Sequence, residues 1–397
     1  MTIFLALLPA YILSIFYRSF LSVIAAPVMR DLAIGPATFG LLGASWFIAF
    51  ALAQFPVGWA LDRVGPRRTV AVSMAVGCIG AFLFAATTHA GLAILAMALI
   101  GVGCAPVFMS ALYLFARTQE RGRFGLLTSL FIGIGSLGNL AGATPLALAA
   151  ETYGWRPTMM GFAVLFLLST MLAVLLARDP PPAVDASGRQ EGLIEGLRSI
   201  ARIRAIWLLA PLTLVGYAIV ATVRGLWIAP FMREVHGLDP VAAGHATLAM
   251  ALAMTIAAFI YGGLQKRLGR SQPLVFWGSL ATAACFVLLA LFGSGSLAAA
   301  VTLFALIGAA GFTYAILMAH ARGFFPEHLV GRGVTFVNFL FIAGAALVQS
   351  GSGWLIAAAR ASGQDAASAF VTLHWVFAVL LLAATAIYRF APERRGP

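Results

Sequence analysis

Long apolar runs, separated by short polar segments, repeat along the whole chain. Each run is about 20 residues long, which is enough for an α-helix to cross the hydrocarbon core of a bilayer. The pattern predicts twelve membrane spans, numbered here 1 to 12: 4–28, 38–61, 69–88, 91–115, 124–149, 157–177, 205–231, 242–263, 273–292, 297–318, 334–357 and 370–389. We therefore expect an all-α membrane protein whose two termini lie on the same side of the membrane.

The composition agrees with this pattern. Of the 397 residues, 62% are hydrophobic and only 10% are charged, whereas a soluble domain carries about 25% charged residues. So few charges exclude a soluble cytosolic enzyme. Cys78, Cys104 and Cys285 each lie in an apolar run, so a disulfide framework or thiolate metal site is not expected. The sequence contains no phosphate loop or nucleophile–base pair, and we expect neither enzymatic activity nor a cofactor.

The basic residues predict the orientation. The chain has 25 Lys plus Arg against 13 Asp plus Glu, a net charge of +12. If the N-terminus is inside, only four basic residues fall on the outer side: Arg30, Arg156, Arg233 and Arg360. The positive-inside rule therefore predicts cytoplasmic termini, with a bacterial inner membrane as the expected location. The excess charge faces anionic lipid, so it does not require a nucleic-acid partner. We expect the protein to be a monomer.

One polar segment divides the chain into two halves of six spans. The expected organisation is an N-terminal bundle, 1–178, a cytoplasmic linker, 179–204, and a C-terminal bundle, 205–397. Within the linker, Leu193 and Leu197 recur at helical spacing. This pattern predicts a short amphipathic helix lying on the inner leaflet.

The two halves contain an internal repeat. Segment 26–31 recurs as 229–234 with an offset of 203, so span 1 corresponds to span 7. The loop between spans 2 and 3 recurs between spans 8 and 9 with an offset of 204: Gly58, Arg63 and Gly65 correspond to Gly262, Arg267 and Gly269. Many transporters are built from such repeats, with the substrate site at the midplane between them.

The loop between spans 2 and 3 resembles the signature loop of the major facilitator superfamily. The residues that carry the resemblance are Gly58, Leu61, Asp62, Arg63, Gly65, Arg67 and Arg68. With the twelve spans, the repeated loop and the central linker, the resemblance extends over almost the whole chain. It implies two pseudo-symmetric six-helix bundles and alternating access by a rocker-switch movement. It also implies a gating role for Gly58, Asp62, Arg63, Gly65, Arg67 and Arg68.

The sequence departs from the family pattern at three places. Lys266 stands where the second copy of the loop would have its acid. Span 4 lacks the arginine that many proton-coupled members carry four residues before a glycine, since Met97 precedes Gly101. Span 5 resembles the antiporter motif only faintly, because Asn139 replaces its proline. The glycines of span 5 are expected to serve close helix packing: Gly133, Gly135, Gly138 and Gly142.

Two arginines lie deep inside predicted spans. Arg18 is about 18 Å of helix rise from Arg30, and Arg224 is about 13 Å from Arg233. An arginine near the bilayer centre costs at least about 2.5–3.5 kcal/mol. Because every Asp and Glu lies in a loop or near a span end, a bound anion could supply the missing negative charge. Pairing with backbone carbonyls is the alternative explanation for both arginines.

Other polar residues in the spans are further candidates for the same site. Tyr11, Ser14, Arg18 and Ser22 form one polar stripe along span 1, and Tyr217 precedes Arg224 by two helical turns. Single polar residues in other spans complete the set: Gln54, Asn139, Asn338 and Gln349. For each of these, hydrogen bonding between helices is the alternative role.

Paired arginines on spans 1 and 7 also resemble those of the organic-anion and organophosphate branches of the superfamily. This resemblance implies a carrier of a small carboxylate or phosphate ester, bound between Arg18 and Arg224. An efflux carrier for apolar or amphipathic molecules is the second hypothesis, because 30 Phe and 12 Met could line an adaptable cavity. A non-transporting receptor or assembly factor is the third. The coupling ion and the direction of transport remain open at this point.

Overall fold

The structure is a computed structural model that describes residues 2–118, 127, 130–176, 202–325 and 330–393. Within these residues it contains helices and no strands, so the predicted all-α fold is confirmed. Eleven helical stretches in the described residues, with spans 5, 7 and 10 each counted as one, are long and apolar enough to cross a membrane. The amphipathic helix predicted within 179–204 lies outside the described residues.

Eight predicted spans are continuous helices in the described part of the chain. Their observed bounds, for spans 2, 3, 4, 6, 8, 9, 11 and 12, are Pro36–Arg63, Pro66–Ala86, Ala90–Thr118, Trp155–Leu176, Pro240–Leu268, Gln272–Phe292, Val330–Ala361 and Ala366–Tyr388. Several begin with a proline at the first helical position, where its missing N–H has no intrahelical partner to lose. The observed ends differ from the predicted ends by only a few residues.

The other four predicted spans are interrupted. Span 5 contains Leu137–Ala141 and Thr144–Tyr153, and span 10 contains Leu297–Ala310 and Tyr314–Arg322. Span 1 consists of Thr2–Phe16 and Ala25–Asp31 with a 3₁₀ turn, Phe20–Ser22, between them. Span 7 consists of Arg204–Thr222, a π-helical segment, Val223–Trp227, and Ile228–Glu234. The prediction of one continuous helix over 4–28 was therefore wrong: its apolar helix ends at Phe16.

The described residues form two compact units. The first takes its residues from 1–182, 224–248 and 349–357. In this unit span 3 packs closely on span 4, because a Cβ at Gly77 would lie 2.8 Å from the Cα of Gly103. The expected packing role of the span 5 glycines is visible at Gly138, where a Cβ would lie 2.8 Å from the backbone nitrogen of Phe16. Span 5 therefore lies directly against span 1.

The second unit takes its residues from 183–223, 249–348 and 358–397. Its buried core combines side chains from spans 7, 9, 10, 11 and 12, represented by Leu212, Val275, Leu317, Phe341 and Tyr388. The organisation into halves at 1–178 and 205–397 stays a prediction that rests on the internal repeat.

Candidate functional site

Arg18 lies where span 1 leaves the α-helical conformation. The first helix ends at Phe16, and the 3₁₀ turn begins at Phe20. The guanidinium carbon of Arg18 lies 5.2 Å from the ring centroids of both Trp46 and Phe50 on span 2. A cation over an aromatic face is attracted by the negative face of the ring. Two aromatic rings thus contribute to holding this charge inside the first unit.

Arg224 lies in the π-helical segment of span 7 and is only 4% exposed. π-Helical turns are rare, and they occur frequently at functional sites because they interrupt the regular α-helical ladder. Both predicted arginines therefore occupy positions at which their helices depart from α-helical geometry.

The two irregular segments are in contact within the first unit. The hydroxyl of Ser22 donates a 3.0 Å hydrogen bond to the carbonyl oxygen of Arg224. A Cβ at Gly225 would lie 2.9 Å from the carbonyl oxygen of Arg18. The backbones that carry the two arginines therefore meet at these contacts.

Three other predicted site residues of the first unit pack between spans. Tyr11 is buried and stacked against Phe108 and Phe131, at ring-centroid distances of 5.3 and 4.8 Å. Gln54 donates a 3.4 Å hydrogen bond to the backbone carbonyl of Ala105. Ser14 is buried as well. For Tyr11 and Gln54, contacts between helices account for their burial.

The remaining polar candidates are divided between the units. In the first unit, Asn139 Oδ1 and Gln349 Oε1 are buried and have no hydrogen-bond partner among the described residues. In the second unit, Tyr217 contacts the rings of Tyr314 and Phe341, and Asn338 is half-buried. Buried acceptors without a partner are costly, and this sets Asn139 and Gln349 apart from the other polar candidates.

The sequence-based search missed three residues of this region. Trp46 and Phe50 lie four residues apart on span 2, a spacing that places them on one face of the helix. Their aromatic character indicated helix packing as readily as contact with a cation. Gly225 was missed because only the fold shows that the backbone of span 1 lies against it.

The gating loop has the backbone conformation that its glycines allow. Gly65 has a φ of +93°, and the equivalent residue of the second repeat, Gly269, has a φ of +60°. Glycine adopts positive φ angles without steric cost. The Nε of Arg67 donates a 3.0 Å hydrogen bond to the carbonyl of Val174 on span 6. Arg68 is exposed. The side chains of Asp62 and Arg63 lie outside the described part, so their expected gating role stays a prediction.

The chain is similar to known transporters in sequence. "Uncharacterized transporter YybO" of Bacillus subtilis is 24% identical over 268 residues, which cover 64% of this chain and 61% of that protein. "Glucose transporter GlcP" of Staphylococcus epidermidis is 29% identical over 160 residues, 39% of this chain and 34% of that protein. "Probable anion transporter 5" of Arabidopsis thaliana is 27% identical over 174 residues, 42% and 40% of the two chains. The matched regions thus span less than two thirds of each relative.

The fold is that of a solved transporter. A bacterial homologue of the human lysosomal transporter Spinster, in an inward-facing and unoccupied conformation, superposes with a TM-score of 0.81. The match has 18% sequence identity and covers 98% of this chain and 96% of the other.

The sequence model of the Major Facilitator Superfamily matches residues 7–228 and 225–397. Together with the transporter relatives, this match indicates a transport function and not an enzymatic one. The chain therefore belongs to the major facilitator superfamily and is a multi-pass membrane transporter.

Proposed function

We propose that this transporter carries a small organic anion, a carboxylate or a phosphate ester, which binds to Arg18 and Arg224. The observation that supports this most directly is the meeting of the two irregular segments. Ser22 contacts the carbonyl of Arg224, and Gly225 contacts that of Arg18. Two permanent cations are thereby anchored on neighbouring backbone, although like charges repel each other. A bound anion would offset this repulsion.

Guanidinium groups suit this chemistry. Each presents a planar fork of N–H donors that matches a carboxylate or a phosphate with two parallel hydrogen bonds. Trp46 and Phe50 attract the cation through their ring faces and do not neutralise it. The rings carry no net charge, so they leave the guanidinium of Arg18 positive, and a positive guanidinium attracts an anion. By the proposed mechanism, a rocker-switch movement exposes this anion alternately to the two sides of an inner membrane, with both termini cytoplasmic.

A neutral hydroxylated solute such as a sugar is the second candidate. The buried carbonyl oxygens of Asn139 and Gln349 have no partner among the described residues, and they would accept hydrogen bonds from hydroxyl groups. Among the relatives, one is named a glucose transporter and one a probable anion transporter. The two candidates differ in whether binding depends on the arginines.

The deciding experiment is a thermal-shift screen of the purified full chain in lipid nanodiscs. The panel contains lactate, benzoate, glycerol 3-phosphate, glucose, xylose and a cationic dye. A ligand that binds only the folded protein raises the melting temperature Tm as its concentration passes Kd. Hits are then tested for uptake into liposomes. The variants are R18Q and R224Q, with R233Q as a matched control on the same span.

We expect a carboxylate or phosphate ester to stabilise the wild type and R233Q but neither R18Q nor R224Q. R18K and R224K keep the positive charge but cannot form the two parallel hydrogen bonds of a guanidinium group. They should therefore bind the anion more weakly than the wild type. If a Gln variant does not fold, the Lys variants still test whether anion binding depends on the arginines. If glucose or xylose raised the Tm of R18Q and R224Q as much as that of the wild type, the anion proposal would be overturned in favour of a sugar. Arginine-independent binding of the dye would favour efflux of amphipathic molecules. The absence of any arginine-dependent response to the anions would also overturn it.

A further inference from the structure

We propose that Ser22 and Gly225 are positioning residues that set the separation of Arg18 and Arg224. This inference rests on the proposed function, because it assigns the two residues a role toward the anion that the arginines bind. Neither residue needs to touch the anion itself. They act through the backbone that carries the two guanidinium groups.

Ser22 fixes the π-helical segment. It is 1% exposed, and its hydroxyl donates to the carbonyl of Arg224 across 202 positions of sequence. Irregular turns in a helix arise where a side chain inserts into its hydrogen-bond ladder. A donor from span 1 that is bound to a carbonyl within Val223–Trp227 therefore determines where the irregular turn lies. The position of the Arg224 backbone depends on this hydrogen bond.

Gly225 sets how closely the two segments approach. A Cβ at this position would lie 2.9 Å from the carbonyl oxygen of Arg18 and 3.4 Å from the Cα of Ser19. The first distance is shorter than ordinary van der Waals contact and involves backbone atoms, which cannot rotate away. Any side chain at position 225 would therefore displace the backbone of Arg18 relative to that of Arg224.

The two contacts are related by the internal repeat. The offset of 203 that relates segment 26–31 to 229–234 also relates Ser22 to Gly225. Each of these equivalent residues contacts the backbone carbonyl of the arginine in the other repeat. Such reciprocal contacts are expected where surfaces related by a two-fold axis meet. The repeat thus places one pair of equivalent residues where the two irregular segments meet.

The experiment compares S22A with S45A. Ser45 is a matched control, because it is also buried in the first unit, and its hydroxyl donates to Leu42 three residues earlier in its own helix. Hydrogen exchange of the full chain in nanodiscs, read by mass spectrometry, reports on the amides of 223–227. We expect S22A to raise their exchange rate about fivefold, as the loss of a hydrogen bond worth about 1 kcal/mol predicts. S45A should leave that rate unchanged.

The second measurement is the affinity for the anion that stabilises the wild type in the screen above. S22A and G225A should each weaken binding about three- to tenfold, whereas S45A should not. S22T restores the hydroxyl and should recover most of the affinity. A merely structural role would lower the Tm of ligand-free S22A and leave its affinity for the anion unchanged.

The two proposals fail in distinguishable ways. If the anion binds S22A as tightly as S45A, and exchange at 223–227 is the same in both, the positioning role is wrong and the proposed function stands. If no anion binds the wild type, the proposed function fails. The exchange rates of 223–227 then still test whether Ser22 fixes the π-helical segment. Equal rates in S22A and S45A would overturn the positioning role as well. Failure of S22T to fold leaves the comparison of S22A with S45A intact.

Discussion

The indole N–H of Trp227 donates a 2.8 Å hydrogen bond to the hydroxyl of Ser352, and both side chains are buried. The hydroxyl of Ser352 in turn donates to the carbonyl of Gln349 at 2.9 Å. Span 7 is thereby joined to span 11 within the first unit, one turn beyond Arg224. Buried polar groups that are fully satisfied in this way make two helices pack in one register.

We expect W227F and S352A to destabilise the protein through the same lost hydrogen bond. Each variant should lower Tm by about 1–2 °C, because a neutral hydrogen bond contributes about 1 kcal/mol and the unfolding entropy scales with the 397 residues of the chain. Phe at 227 keeps an aromatic ring beside Phe39, whose ring centroid lies 6.1 Å from that of Trp227 in the wild type. Thermal unfolding of both single variants and the double variant forms a double-mutant cycle. The loss in the double variant should be smaller than the sum, whereas strict additivity would contradict the coupling.

The sequence was sufficient to locate the spans because the apolar run is a local property with a fixed minimum length. It could not locate the breaks at 17–24 and Val223–Trp227. Both segments lie within long apolar runs, and their irregular shape is accompanied by contacts with residues about 200 positions away. For the same reason Arg18 and Arg224 could be selected from their charge, whereas Gly225 could not be selected at all.

The carboxylate of Asp31 predicts a pH dependence at the end of span 1. It accepts a 3.0 Å hydrogen bond from the indole of Trp155 and an ion pair from Arg156. The Trp155 hydrogen bond, reinforced by Arg156, lowers the pKa of Asp31 below its usual value of 3.8. A lowered pKa means that the charged form stabilises the fold above the unfolded-state pKa, and that this stability is lost as the pH falls through the folded-state pKa.

We therefore expect D31N to lower Tm by about 1 °C at neutral pH, because Asn keeps an acceptor for Trp155 and loses the charge that pairs with Arg156. The difference between the wild type and D31N should stay constant from pH 8 to pH 5. It should shrink only below about pH 4. Thermal unfolding curves of both proteins between pH 8 and pH 3 test whether the difference in Tm shrinks at acid pH. A difference that grows at acid pH would contradict this account of Asp31.

The carboxylate of Glu393 caps the N-terminus of span 9. Its two carboxylate oxygens accept hydrogen bonds from the backbone N–H groups of Ser271, at 2.9 Å, and Gln272, at 2.7 Å. The segment that carries Glu393 is held by His320, which donates from Nε2 to the carbonyl of Pro392 at 3.0 Å. That donor fixes the tautomer, so Nδ1 accepts from the hydroxyl of Tyr388. Glu393 therefore caps a helix terminus close in sequence to Lys266, where the repeated loop lacks an acid.

E393A should lower Tm by about 1–2 °C, because loss of an N-terminal capping group costs about 1 kcal/mol in a chain of 397 residues. E393Q should fall between E393A and the wild type, since an amide keeps only one acceptor oxygen. E151Q is the matched control: Glu151 is an exposed carboxylate on span 5, and its replacement should leave Tm unchanged. Equal melting temperatures for E393A and E151Q would show that the cap does not stabilise span 9.

Span 11 offers a matched pair of glycines for the last prediction. A Cβ at Gly353 would lie 2.6 Å from the carbonyl oxygen of Pro36 and 2.8 Å from the Cα of Gly40. Nothing lies within 4 Å of the corresponding point at Gly351, two residues earlier in the same helix. The close approach of spans 2 and 11 therefore depends on the absent side chain of one glycine and not of the other.

G353A should lower Tm by several degrees, because overpacking against backbone atoms costs about 1–3 kcal/mol and spans 2 and 11 must separate to accept the methyl group. G351A should leave Tm unchanged or raise it slightly, since Ala is about 1 kcal/mol better than Gly inside a helix. Hydrogen exchange of the peptide 36–43 should rise in G353A alone, which links the lost stability to the contact with Gly40. If both alanines raised Tm alike, helix propensity would outweigh packing here, and spans 2 and 11 would not need to approach as closely as they do.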